Sequence, residues 1–489
     1  MENQMYSVAQ LRAVEAAALP TAPLMKRAGV AAAAWALELI QDVLPVLVLA
    51  GPGNNGGDAL EVAANLRDAG VDVTVLHLAG AAVSPSPDTA AALARCQTDG
   101  VTFVDALPDH ANWALVVDGL FGIGLARPLA GHAEQLAAIV SQYACPILAL
   151  DIPSGLDADT GALHGEMAVR ATHTITFIGN KPGLHTGDGR DYAGIVRVAT
   201  LDLDPALLPA PEALLLTAAS FQSSLPLSRR RENSHKGQFG DVAILGGADG
   251  MAGAAMLAAR TALFSGAGRV FLAALDTRLS IDPLHPEIMF RSAVGFDVHH
   301  RTLVVGPGMG DSGAARNMLA KAISSDSPLV LDADALNMIA AEVGLQEALR
   351  TRAPMAVLTP HPLEAARLLG VTAPVVQADR LAAARELAAR CQAIVVLKGS
   401  GTVIARPDGH VVINTSGNAG LATGGAGDVL AGLTGTLLAH GWDAWSAAQG
   451  AVWIHGAAAD RLVAQGCGPI GLTAGELPAA IRAVFNSLT

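Results

Sequence analysis

At 489 residues the chain is too long for one ordinary domain, and its 51% hydrophobic against 15% charged composition argues against disorder and for compact α/β packing. A formal net charge of −13 argues against a general nucleic-acid binder, because phosphate backbones are held by lysine and arginine. Cys96, Cys145, Cys391 and Cys467 stand far apart with no C-x-x-C spacing, so neither a disulfide framework nor a zinc site is expected, and a reducing, cytoplasmic compartment is. The opening "MENQMYSVAQLRAVEAAALP" has no basic region followed by an apolar core and does not read as a secretory signal. Residues 28–50 are apolar but interrupted by Glu38, Gln41, Asp42 and Pro45, the pattern of a helix followed by a buried strand, not of a membrane span.

In chain order, short β-branched or leucine-rich runs alternate with helical patterns. The first half carries "VLVLAG", "DVTVLHL", "ALVVDG", "PILALD" and "HTITFIG"; the second carries "VAILGG", "GRVFLAAL", "TLVVGPG", "PLVLDAD", "MAVLTP" and "AIVVLKG". This alternation predicts two parallel-sheet α/β units, in which ligands sit beyond the C-terminal ends of the strands. The boundaries fall at 1–215 for the first domain and 235–489 for the second, with 216–234 as a linker. Prolines and serines gather there, and the arginines Arg229 to Arg231 read as a solvated face. No internal repeat is present.

Behind the first strand, "GPGNNGGD" places Gly51, Gly53 and Gly56 in G-x-G-x-x-G spacing, by itself a weak dinucleotide signal. A ribose-binding acid is due at the end of the next strand, but that strand ends His77, Leu78, Ala79, Gly80, so an NAD-dependent dehydrogenase is not supported. Polar groups instead close three strands: Asn54, Asn55 and Asp58 after the first, Asp118 in "LVVDGLFGIGLARP" and Asp151 in "LALDIPSGLD". Caps and Asx-turns explain each singly; together they suit a hydroxyl-rich ligand or a hard cation.

On "AGPGNNGGDAL", "DGLFGIGLARPL", "LDIPSGLDADTG" and "FIGNKPGL", residues 5 to 210 resemble the epimerase half of bifunctional NAD(P)H-hydrate repair enzymes. The resemblance implies a Rossmann-like three-layer α/β/α domain in which Asn54, Asn55, Gly56, Gly57, Asp58, the loop Gly122, Ile123, Gly124, Leu125, Ala126, Arg127, Pro128, and Asp151 bind the hydrated nucleotide. It also implies a potassium ion on Asn55, Asp118 and Ser154. Ala59 departs from the family's glycine, and Lys181 lies in a matching motif without an assigned role.

In the second half, "GNAGLATGGAGDVLAGL" runs a glycine-rich turn into a helix, leaving backbone N–H groups and the positive helix end to attract phosphate. Asp428 in this turn has two readings, an N-cap or a general base beside the phosphate; the density of Gly420, Gly424, Gly425 and Gly427 favours the base. With "HKGQFGDVAILGG", "GPGMG", "VLDADALN", "TPHPLEAARLLG" and "VVLKGSGTVIA", the segment from His235 onward resembles the ADP- or ATP-dependent NAD(P)H-hydrate dehydratase, of ribokinase-like fold. The resemblance implies that Ala254, Gly308, His361 and Asp428 contact the hydrate while Lys398, Gly399, Ser400, Gly401, Thr402 and Gly427 contact the nucleotide. Magnesium would accompany ADP or ATP, and the substrates would be NADHX and NADPHX. Leu363 and Ala419 depart from the family's glycine and proline.

The chemistry can be stated without the resemblance. Phosphorylating a ring hydroxyl turns hydroxide into phosphate, which a neighbouring nitrogen can expel, with Asp428 accepting the hydroxyl proton and Asp151 as the candidate catalytic acid of the other half. Rival readings are a ribokinase-like vitamin or sugar kinase with a non-catalytic first half, and a binding scaffold, since domains related to the first half serve in mRNA-decapping scaffolds. Asp332 and Asp334 read as magnesium or nucleotide contacts or as a strand end and a helix cap; His299 and His300 read as a surface pair and His455 as a helix-buried histidine. The Ala-rich helices are compatible with a homo-oligomer; neither nucleic acid nor a membrane is an expected partner.

Overall fold

The computed structural model describes residues 3–19, 22–78, 85–108, 112–276, 278 and 280–489. The chain divides into two compact units, Met1–Leu214 and Leu215–Thr489. Each expected strand run is a strand, and each unit is built on a largely parallel sheet.

The seven strands of the first unit's sheet lie in the order Thr102–Val104, Val73–His77, Val46–Ala50, Leu115–Gly119, Ile147–Leu150, His173–Phe177, Ile195–Ala199, every pair parallel. Val46–Ala50 is buried at all five positions because helices cover both faces, which is why the run is continuously apolar instead of alternating. Strand order reverses between Val46–Ala50 and Leu115–Gly119, and a crevice opens at such a switch point. Helix Asn54–Asp68 packs closely on helix Leu24–Leu39, where a Cβ on Gly29 would lie 2.3 Å from the Glu61 Cβ. Ala79 and Gly80 fall outside the described residues.

In the second unit, the strands follow one another as Val411–Asn414, Thr402–Ala405, Ile394–Leu397, Val357–Leu358, Leu329–Leu331, Thr302–Val305, Asp241–Gly246, Arg269–Ala274, Met289–Ser292. All pairings are parallel except two antiparallel ones, Ile394–Leu397 with Thr402–Ala405 and Thr402–Ala405 with Val411–Asn414. Helix Ala426–Ala439 lies against the sheet and against helix Ala252–Phe264 through glycines that leave no room for a side chain. A Cβ on Gly432 would sit 2.2 Å from the Ala258 carbonyl oxygen, and one on Gly435 2.4 Å from Val304 Cγ2. Among the described residues no helix is long and apolar enough to cross a membrane.

The segment 216–234, expected to be a linker, is folded into the second unit. Ala218–Ser228 forms a 3₁₀ helix, and Phe221 is fully buried with its ring 6.0 Å from that of Trp442 and 5.9 Å from that of Trp453. Arg229 to Arg231 are exposed, as expected, and Arg230 also donates to the Gly266 carbonyl at 2.7 Å and lies 4.1 Å over the Phe239 ring. Its prolines and serines mark a chain that cannot run as a long α-helix, while Phe221 and Leu225 still supply core. Phe221→Ala is expected to cost the second unit about 3–5 kcal/mol in urea unfolding followed by tryptophan fluorescence. A loss below about 1 kcal/mol would show the segment to be a mere tether.

Candidate active sites

In the first unit a cleft of about 580 Å³ opens at the switch point. Neighbouring strands deliver its polar side chains at their C-terminal ends: Asn54, Asn55 and Asp58 follow the first, Asp151 follows the third and Lys181 lies beyond the fourth, while Asp118, which closes the second, does not line the cleft. The loop Gly122 to Arg127 forms another wall, with Arg12 and Glu15 from helix Val8–Ala18. Asp118 is fully buried and accepts three hydrogen bonds, from the Ser154 hydroxyl at 2.7 Å, the Ser154 N–H at 2.9 Å and the Leu120 N–H at 3.2 Å. Burial outweighs these neutral donors and pushes its carboxyl up to about 6. Asn55 is buried with neither amide atom hydrogen-bonded, and a Cβ on Gly122 would lie 3.2 Å from the Asn55 Cγ and 3.2 Å from Asp151 Oδ2. Glycine at 122 therefore keeps open the space between the amide and the carboxylate.

Asp151 has φ of +68°, a strained value for a side-chain-bearing residue, and Ile152 N–H closes a three-residue turn onto the Leu150 carbonyl at 2.8 Å. Its Oδ1 lies 2.7 Å from Lys181 Nζ. Asp58 has its carboxyl held well above the usual range by burial and by the carboxylates of Asp151, Glu15 and Glu61. Burial and Asp151 also raise Glu15.

The second unit's cleft, about 380 Å³, lies beyond the ends of three adjacent strands, which present Asp332, His361 and Lys398, and beneath the turn Gly425 to Asp428. Lys398 Nζ is 2.7 Å from Asp332 Oδ1 and 3.9 Å from Glu364 Oε2. Its pKa is raised because the carboxylates of Asp332 and Glu364, and more weakly Asp428, outweigh burial. Gly425, at φ +93°, is the N-cap of helix Ala426–Ala439 and makes no side-chain cap bond; Asp428 stands in the first turn. The cap reading of Asp428 thus gives way, and no side chain caps the helix's first N–H groups. Burial, then the nearby Asp332 carboxylate, pushes Asp428 up to about 7 against the pull of Lys398.

His361 is itself a cap. Its Nδ1 accepts from Leu363 N–H at 3.1 Å and Glu364 N–H at 3.2 Å, while Glu364 Oε2 accepts from His361 N–H at 2.7 Å. The ring stays half-exposed on the cleft. Asp334 accepts from Gly310 N–H at 2.8 Å, pinning a loop whose Gly306, Gly308 and Gly310 all have positive φ. Ala254 and Gly308 abut one another, since a Cβ on Gly308 would lie 3.2 Å from that of Ala254, but neither lines the cleft. Ser400, Gly401 and Thr402 also stand off it, Thr402 closing the turn by donating to the Gly399 carbonyl at 3.1 Å. In the first unit, Gly56, Gly57, Pro128 and the buried pair Asp118 and Ser154 do not line the cleft; a Cβ on Gly56 would lie 1.8 Å from the Gly51 oxygen and one on Gly57 2.5 Å from Met25 Cε, so these two glycines serve packing. Sequence reasoning missed Glu15, Glu364 and Arg380. Glu364 was findable, three residues after His361 in capping-box spacing. The fully buried Arg380, which donates to the Leu397 and Lys398 carbonyls and holds the lysine's turn, left no sequence signal. As expected, His299 and His300 are exposed and His455 is a buried helix histidine.

Comparison with known proteins matches this division. A family described as NAD(P)H-hydrate dehydratase matches residues 242–481, and one described as YjeF-related protein N-terminus matches residues 21–183. The chain is 36% identical over 496 residues to the bifunctional NAD(P)H-hydrate repair enzyme Nnr of Coxiella burnetii, covering 99% of each. The chain belongs to the bifunctional NAD(P)H-hydrate repair enzymes. The Nnr enzyme of Escherichia coli is 38% identical over 474 residues, covering 95% of this chain and 89% of that one. Among solved structures, the ADP/ATP-dependent NAD(P)H-hydrate dehydratase of Bacillus subtilis, co-crystallised with ATP/Mg²⁺, covers 56% of this repair-enzyme chain and 98% of its own, at 32% identity and a TM-score of 0.50. The ribokinase-like fold of the second unit follows from that match.

Lys398→Met removes the ammonium shared by two buried carboxylates. It is expected to lower the second unit's stability in urea by about 3–5 kcal/mol. An unchanged unfolding midpoint would show that Asp332 is compensated elsewhere.

Proposed function

We propose that this repair enzyme interconverts the R and S epimers of hydrated NADH and NADPH in the first unit and dehydrates the S epimer in the second, at the expense of ADP or ATP. The observation that carries the dehydratase reading is Asp428. It is an acid in the first turn of a helix, its proton affinity raised to about 7, beside Lys398 and near helix N–H groups that no side chain caps. Those features serve phosphoryl transfer.

The hydroxyl oxygen of the hydrate attacks the terminal phosphorus of the nucleotide. Its proton passes to Asp428, and the bond from phosphorus to the bridging oxygen breaks, leaving AMP from ADP or ADP from ATP. Helix N–H groups around Gly427 and the Lys398 ammonium oppose the charge on the transferred phosphoryl. The ring nitrogen's lone pair then expels phosphate, and loss of a proton from the neighbouring carbon restores the reduced nicotinamide. His361 bounds the hydrate side in this reading, with Ala254 and Gly308 outside the cleft lining; Lys398, Gly399 and Gly427 face the nucleotide, with Ser400, Gly401 and Thr402 shaping the lysine's turn.

Magnesium fits as an ion carried by the nucleotide's phosphates. Among the described residues no three metal-ligating side chains cluster, and Asp332 is already shared with Lys398, so phosphate oxygens supply most ligands. Potassium fits the first unit better: Asn55 Oδ1 is buried without a partner, and the Asp118 carboxylate is buried among neutral donors. Asn55, Asp118 and Ser154 would hold it, and its charge would favour the ionised Asp118. Asn54, Asn55, Asp58 and the loop Gly122 to Arg127 would bind the nucleotide, with Asp151 at the reacting carbon.

Purified protein given NADH hydrate, magnesium and either ADP or ATP is expected to restore the reduced-nicotinamide absorbance from both epimers; no recovery with either donor overturns the reading. Asp428→Asn is expected to slow dehydration about 10²–10⁴-fold. Retained nucleotide-dependent dehydration sinks the base assignment. Because the base works deprotonated, kcat/KM for dehydration is expected to rise with pH through about 7 and level off above it. A limb near the ordinary carboxylate range would place the proton elsewhere.

A further inference from the structure

The cleft of the first unit contains a buried lysine that the family resemblance leaves without a role. Lys181 is 1% exposed at its side chain, and its Nζ is ringed by oxygens: Asp151 Oδ1 at 2.7 Å, Thr176 Oγ1 at 2.5 Å, the Phe177 carbonyl at 3.3 Å and the Gly179 carbonyl at 3.4 Å. Its ammonium is thereby held in place and spent on one carboxylate oxygen. The other oxygen, Asp151 Oδ2, faces the opposite way, accepting from Ile123 N–H at 3.4 Å beside the open space at Gly122.

The backbone is bent to make this meeting. Asp151 and Ile178 each stand at φ +68° at the centre of a three-residue turn, closed by Ile152 N–H to Leu150 O at 2.8 Å and by Gly179 N–H to Phe177 O at 2.7 Å. The two turns follow neighbouring parallel strands, Ile147–Leu150 and His173–Phe177. Such turns are strained and persist where surrounding structure enforces them, commonly at working sites. A buried ion pair is also a poor way to gain stability, since matched apolar residues do as well or better.

We infer that Lys181 is the positioning residue of the epimerase cleft, anchoring Asp151 Oδ1 so that Oδ2 is presented as the base that takes the hydroxyl proton of the hydrate. This rests on the epimerase reading of the first unit. In the step it serves, the hydroxyl proton moves to Asp151 Oδ2, the carbon–oxygen bond becomes a carbonyl, and the carbon–nitrogen bond breaks with its electron pair going to the ring nitrogen. That nitrogen takes a proton from Asp58, which lines the same cleft and whose proton affinity is raised by burial and by the neighbouring Asp151, Glu15 and Glu61 carboxylates. Rotation of the open chain presents the other carbonyl face. Reclosure returns one proton to Asp58 and the other from Asp151 to oxygen, so both acids end as they began.

The test follows conversion of purified R hydrate to S by chromatography, with the full chain and no nucleotide present, above the uncatalysed rate. Lys181→Met is expected to lower kcat about 100-fold with KM within about threefold, because a misplaced base costs rate and not binding. Lys181→Arg, which keeps a cation on Asp151, is expected to recover at least about tenfold of that loss. The double variant Asp151→Asn with Lys181→Met is expected to be no slower than Asp151→Asn alone, the mark of two residues acting as one. Wild-type turnover in Lys181→Met, or a double variant slower than Asp151→Asn, overturns the assignment. Should Lys181→Met leave a lone buried charge and unfold, the double variant carries none and decides alone. If the unaltered chain fails to interconvert the epimers while dehydrating the S form, the epimerase reading falls, and this assignment with it.

Discussion

Covering both faces of a parallel sheet leaves a chain one place for polar side chains, the strand ends, and everything chemical here follows from that restriction. The runs Val46–Ala50, Leu115–Gly119, Leu329–Leu331 and Ile394–Leu397 are buried along their whole length, with the buried Asp118 placed at the far end of its strand. In the first unit three strand ends gather Asn55, Asp151 and Lys181; in the second, three gather Asp332, His361 and Lys398. Both clefts are thus consequences of topology before they are consequences of any particular residue.

A second restriction acts through glycine. Helix Ala426–Ala439 can deliver its N-terminus over the strand ends only because Gly432 and Gly435 let it lie flush on Ala258 and Val304. Gly425 then supplies the positive φ that starts the helix without a side-chain cap. The glycines of this region divide the labour: those inside the helix fix its depth, and the one at its start keeps the N–H groups free. Loss of packing glycines would move Asp428 without touching it.

Much of this was legible in the residues. Strand existence could be read because fully buried parallel strands are uninterrupted apolar runs, and the carboxylates stood out because they end such runs. The hairpin Thr402–Ala405 with Val411–Asn414 and the strand Ile195–Ala199 were not read, the former too short and the latter too exposed to carry the apolar run. The segment around Phe221 read as linker because prolines and serines dominate local pattern, whereas its place is decided by contact with Trp442 and Trp453, more than 200 residues onward. Likewise Gly56 and Gly57 sit within a ligand-binding motif, yet their spacing alone cannot distinguish close approach to a ligand from close approach to Gly51 and Met25. The partners of Arg380 and Lys181 are set by tertiary folding, and a lone basic residue carries no pattern.

Two lysines, Lys181 buried and Lys398 partly so, show how one device can tune different outcomes. In the first unit the ammonium of Lys181 sits directly on Asp151, the carboxylate that faces the cleft, while burial and the neighbouring carboxylates raise the proton affinity of Asp58 and Glu15. In the second unit the ammonium of Lys398 sits on Asp332 and more distantly on Glu364, and Asp428 feels it only from farther away, so burial and the Asp332 carboxylate prevail and its proton affinity rises. Where the lysine is placed therefore decides which carboxylate it pairs with and which is left to burial and its neighbours, as Asp428 is. In both clefts the lysine fixes one carboxylate by direct contact, and burial sets the proton affinity of the acid it does not touch.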